Sequence, residues 1–107
     1  MPKMLCYMKA TIKNLKKALR ESAEAHNVEY KNWSDEGQIG IHSESIPVVA
    51  DVKMILESFY GERCSDLYET GYGYTTVYLY DFMDDESREV DLTLLTMALP
   101  YDCKLWE

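Results

Sequence analysis

Apolar residues recur at two distinct periods along this chain, and the change of period marks its elements. Ile12, Leu15, Leu19 and Ala23 are spaced by three and four, so they share one face of a helix, while Lys13, Lys16, Lys17 and Arg20 cover the others. Thr11 stands where an N-cap belongs, His26 and Asn27 suit the closing turn, and a weakly alternating Met4 to Lys9 predicts a strand ahead of the helix. Val28 and Tyr30, then Ile39 and Ile41, form two short runs around the turn-rich Asn32 to Gly37, which predicts a hairpin. Ser45 and Pro47 open a second helix that Gly61 stops, with Val48, Val52, Ile55, Leu56 and Phe59 as its buried stripe.

From Tyr72 the period becomes two. Tyr72, Tyr74, Thr76, Tyr78, Tyr80 and Phe82 point to one side of the predicted strand, and Thr75, Val77, Leu79 and Asp81 to the other. Met83 to Ser87 reads as a polar turn, Val90, Leu92 and Leu94 as a returning strand, and residues 104–107 as a short edge strand. The expected fold is α+β over residues 1–107 as a single domain: one antiparallel sheet with two helices on one face. A ferredoxin-like split β-α-β topology satisfies that order, and helix plus hairpin occurs twice without a residue-level repeat.

Composition narrows the class. At 47% hydrophobic and 28% charged, the chain of 107 residues has globular usage and enough length for one core. Its apolar runs are far shorter than the roughly 20 residues of a membrane span, and the N-terminal run is too short for a secretory signal, so a cytoplasmic location is expected. Cys6, Cys64 and Cys103 are odd in number and widely spaced, which predicts reduced thiols and no zinc knuckle.

Charge is unevenly placed. Residues 1–33 hold seven Lys/Arg against three Asp/Glu, a balance of +4, and residues 34–107 hold four against sixteen, a balance of −12. The net −8 predicts repulsion of double-stranded DNA and attraction of basic partners, although such acidity also serves solubility alone.

Catalytic signatures are missing. No G-x-S-x-G, H-E-x-x-H or phosphate-binding glycine loop occurs, and Gly71-Tyr72-Gly73 lacks the third glycine of a dinucleotide fingerprint. His42 with Cys64 is the one Cys/His pairing for a small thiol enzyme, and His26 is the other histidine. Asp81, Asp84, Asp85 and Glu86 crowd a turn but depart from the calcium-loop spacing, so a solvated turn is expected and no metal or other cofactor. The cations of the first helix could neutralise phosphates, yet the overall charge favours a solvated helix face.

Tyrosine is the more informative residue, because it joins large contact area to a polar tip. Two placements fit the pattern. The one that weighs slightly more puts the tyrosine face under the helices; in the other, Val77 and Leu79 face the core and the tyrosines form an exposed ladder beside carboxylates. The expected function is therefore a non-enzymatic interaction or inhibitor protein. Its partner-binding surface would comprise Tyr72, Tyr74, Tyr78, Tyr80, Asp81, Asp84, Asp85, Glu86 and Glu89, and would occupy a basic site on another protein, nucleic-acid-binding sites among the candidates. Small acidic nucleic-acid mimics of phages and mobile elements, antirestriction and anti-CRISPR proteins among them, use this chemistry, although no motif here carries a resemblance to any of them. A subunit of a larger assembly and a small Cys/His enzyme are the alternatives.

Overall fold

The computed structural model describes residues 7–61, 66–80 and 82–92. Strand β1 (Tyr7–Ala10) leads into helix α1 (Ile12–Ala25), whose N-cap Thr11 accepts the N–H of Asn14 through its hydroxyl. Asn27 ends that helix in the left-handed region, φ 57°, as an asparagine can. Strands β2 (Tyr30–Trp33) and β3 (Gln38–Ile41) form the expected hairpin around a short 3₁₀ turn, Ser34–Glu36. Helix α2 (Ile46–Tyr60) follows, with Ser45 before it and Gly61 at its end; the Ser45 side chain makes no capping bond.

The second half departs from expectation. Strand β4 (Tyr68–Gly71) precedes β5 (Tyr74–Tyr78), and Tyr72-Gly73 between them is a two-residue turn with both φ angles positive, 57° and 81°. Tyr72 therefore belongs to a turn and not to a strand. Asp85 likewise lies in strand β6 (Asp85–Asp91) instead of a turn, and β6 pairs with β1, not with β5. The physical reason is that β5 has no free edge, because β3 occupies one side and β4 the other. Two antiparallel sheets result, β2-β3-β5-β4 and β1-β6, in place of the single sheet expected. These pairings do not show a ferredoxin-like topology. The expected strand residues Thr93 and Leu94 and the terminal edge strand lie outside the described residues.

One hydrophobic cluster joins all these elements. Leu15, Ala18, Leu19 and Ala23 of α1 meet Val48, Val52, Ile55, Leu56 and Phe59 of α2, the helix stripe expected from its spacing. Ile39, Ile41 and Val77 close it from the larger sheet, and Met8, Ala10, Val90 and Leu92 from the smaller region. Two polar ties hold the periphery: His26 Nε2 lies 2.5 Å from Asp51 Oδ2 across the helices, and the Arg88 guanidinium donates to the Phe59 carbonyl at 2.6 Å. His26 thus serves a cross-helix pair. No described helix is long and apolar enough to cross a membrane.

Candidate functional site

Register sorts the side chains of the larger sheet into two faces. Ile39 lies opposite Val77 and Ile41 opposite Thr75, all four fully buried under the helices, so their neighbours in sequence must project to the other side. That other side carries Lys31 and Trp33 from β2, Gln38 and Gly40 from β3, Glu69 from β4, and Tyr74, Thr76 and Tyr78 from β5. Of the two placements open to the tyrosines, the one with Val77 on the core face is found: Tyr74 and Tyr78 are half-buried on the opposite face, and the slightly heavier expectation of a tyrosine face under the helices is overturned. Val77 and Thr75 win the core because they are small enough to lie flat against Ile39 and Ile41 beneath two helices.

Ring contacts organise this face. Trp33 lies on the glycine at position 40, where an added Cβ would come within 2.5 Å of the indole, so the absence of a side chain there seats the ring against the sheet. Its centroid is 5.7 Å from that of Tyr74, on which the His42 imidazole stacks at 4.6 Å and 15°. Tyr78 and Tyr80 form a second stack, 5.3 Å apart and 16° from parallel. Tyr80 is 54% exposed although it lies beyond the end of β5, and Tyr72 at the hairpin tip is completely exposed. Trp33, Tyr74 and Tyr78 are half-buried.

Three carboxylates edge the aromatic face. The Tyr78 hydroxyl donates to Glu69 at 2.9 Å, and that bond, with lesser help from desolvation and nearby charge, raises the phenol pKa above its ordinary value. Glu29 lies 3.7 Å from the Lys31 ammonium and 3.9 Å from His42 Nδ1, and Glu44 accepts the N–H of Gly73 at 3.2 Å. Lys31 is also 5.9 Å from the centre of the Tyr74 ring. The surface therefore combines flat rings with anionic edges and one cation.

The other expected site residues lie elsewhere. Asp84 accepts the N–H of Ile12 at the start of α1, 2.7 Å away. Asp85 accepts both the hydroxyl and the N–H of Ser87, which hold its carboxyl below the usual carboxylate range. Glu86 and Glu89 project from β6, in the smaller sheet. The described partners of Asp84 and Asp85 are Ile12 and Ser87, the strand that holds Asp85, Glu86 and Glu89 pairs with β1, and Asp81 lies outside the described residues. The same holds for Cys64, and with it the His42–Cys64 pairing; His42 itself is engaged with Tyr74 and Glu29. Among the described residues no three His, Cys, Asp or Glu side chains converge as metal ligands.

Trp33, His42, Glu29, Glu44 and Glu69 were not anticipated. Trp33 could have been found by carrying the alternation of Tyr30 and Asn32 one step further, which places Lys31 and Trp33 together on the opposite face. No protein family, curated protein or solved structure matches this chain.

Proposed function

We propose that the chain is a non-enzymatic binding protein whose aromatic sheet face receives an arginine- and lysine-rich surface of a protein partner. The observation that carries this reading is the set of half-buried Trp33, Tyr74 and Tyr78 with the exposed Tyr80, edged by Glu29, Glu44 and Glu69. Arginine guanidinium groups stack on aromatic faces and pair with carboxylates through the same planar fork, so one partner side chain can satisfy both features. The net −8 adds long-range attraction for a basic partner. A phosphate-contacting surface of a nucleic-acid-binding protein has the required chemistry, and occupying it would make this chain an inhibitor of the anti-defence kind.

The test uses two labelled peptides of equal charge, one Arg-Gly repeat and one Lys-Gly repeat, titrated by fluorescence anisotropy. The arginine peptide should bind more tightly, and Tyr74→Ala with Tyr78→Ala should together weaken it about thirtyfold, since each ring contact is worth about 1 kcal/mol and neither substitution changes charge. Equal binding by the parent and the folded double variant would mean that net charge alone attracts the peptide, and the aromatic site would be discarded.

A further inference from the structure

Against its overall −8, the molecule concentrates positive charge along one strip of α1. Lys13, Lys16, Lys17 and Arg20 recur at three- and four-residue spacings, so they occupy adjoining positions over roughly 10 Å of helix. The strip is one wall of a groove of about 410 Å³, and Tyr30 and Asn32 of β2 form the other wall. The fold builds this groove for an identifiable reason. Leu15, Ala18 and Leu19 turn one side of α1 into the core, and among the described residues β2 is an edge strand that pairs with β3 alone. Its Lys31 and Trp33 go to the aromatic face, which leaves Tyr30 and Asn32 on the side of the helix.

Two features separate this groove from an ordinary solvated helix face. It is concave, and among the described residues its lining holds no Asp or Glu. Among the described residues, Lys13, Lys16 and Arg20 form no ion pair, so neighbouring cations repel one another at the i, i+3 and i, i+4 spacings. The half-buried Tyr30 phenol has its pKa raised by burial, with the Arg20 charge pulling the other way, so at neutral pH it is a hydroxyl donor facing the same space. A ligand with several anionic oxygens relieves the repulsion and accepts from Lys13, Lys16, Arg20 and the Tyr30 hydroxyl.

Length decides what kind of anion fits. A long polyanion would run past a strip of roughly 10 Å onto the acidic remainder of the molecule, whereas a compact one stays within about a Debye length, roughly 8 Å, of the cations. We propose that the groove between α1 and β2 binds a compact run of contiguous phosphates, as in inorganic tripolyphosphate or the triphosphate of a nucleotide, through Lys13, Lys16, Lys17, Arg20 and Tyr30. The site is separate from the aromatic face and does not depend on its role.

Calorimetric titration of the full chain at low salt, with orthophosphate, tripolyphosphate, ATP and a short oligothymidine, tests this. Tripolyphosphate should bind at least about tenfold more tightly than orthophosphate, because several cations then act on one ligand. Lys16→Gln with Arg20→Gln should weaken tripolyphosphate at least about tenfold, while Lys53→Gln, on α2, leaves it within about twofold. Equal affinities for ATP and tripolyphosphate would assign the site to phosphates alone, and tighter ATP to a nucleotide; either supports the proposal. Tighter oligothymidine than tripolyphosphate, no tripolyphosphate binding at millimolar concentration, or full binding by the double variant would each overturn it. Amide NMR shifts on adding tripolyphosphate to the parent keep the proposal falsifiable should the variant misfold: changes must centre on residues 13–20 and Tyr30, and changes centred elsewhere would refute the site.

Discussion

Tyr72 occupies the left-handed region, φ 57°, at the first position of a two-residue hairpin turn that asparagine would fill more comfortably. It is fully exposed, so no core contact offsets that cost. A bulky residue held in an unfavoured conformation with its ring in water is what a contact residue selected against stability looks like. Tyr72→Asn should therefore stabilise the protein by about 0.5–1 kcal/mol, measured by urea unfolding. The same variant should bind the arginine peptide more weakly, if the tip belongs to the proposed surface. A stabilised variant with undiminished binding would place Tyr72 outside it, and a variant with no gain in stability would show that the tyrosine is not strained there.

At the scale of elements, α1 begins without an acidic residue in its first turn, and the missing negative charge comes from 72 positions away, where Asp84 accepts the Ile12 N–H. Asp84→Ala should cost about 1 kcal/mol, as loss of a helix-terminal partner does, whereas Glu86→Ala on the exposed part of β6 should stay within about 0.5 kcal/mol. Equal effects on the melting temperature would show that the Asp84 bond adds nothing. The contrast also shows what was legible in the sequence. Both helices were, because Thr11, Asn27, Ser45 and Gly61 punctuate them and their apolar stripes are continuous. Beyond the β2–β3 hairpin the strand pairing was not, since β4 is only Tyr68-Glu69-Thr70-Gly71, too short to alternate visibly, yet it takes the edge of β5 that would have received β6. The candidate site divided in the same way. Tyr74 and Tyr78 declare a shared face by their spacing. Trp33, His42 and Glu69 reach that face only through the register of three other strands, and Asp84 is drawn from the acidic run to a helix end by a backbone donor that spacing does not reveal.

For the whole molecule, the linear polarity of +4 before residue 34 and −12 after it is partly folded away. Strand β6 lies against β1, with Glu89 directly opposite Lys9, and Asp84 meets the start of the basic helix. That juxtaposition cancels charge locally but cannot remove a net −8, and folding brings the surplus carboxylates closer together than they are in the unfolded chain. Against this stand, among the described residues, the pairs Lys31–Glu29 at 3.7 Å and Lys53–Glu57 at 3.9 Å, both exposed, a class that contributes little. Screening should therefore relieve more repulsion than attraction. Raising sodium chloride from about 10 to 150 mM, which shortens the Debye length from roughly 30 to 8 Å, should raise the melting temperature at neutral pH. A gain of about 0.5 kcal/mol would appear as roughly 2–4 °C in a domain of this size. Lowering the pH slightly above the carboxylate range should shrink the salt effect, because partial protonation removes the same repulsion. A melting temperature that falls with salt would mean that the contacts between the basic N-terminal part and β6 outweigh the surplus, and that folding uses most of the acidic charge internally, leaving little to steer a basic partner.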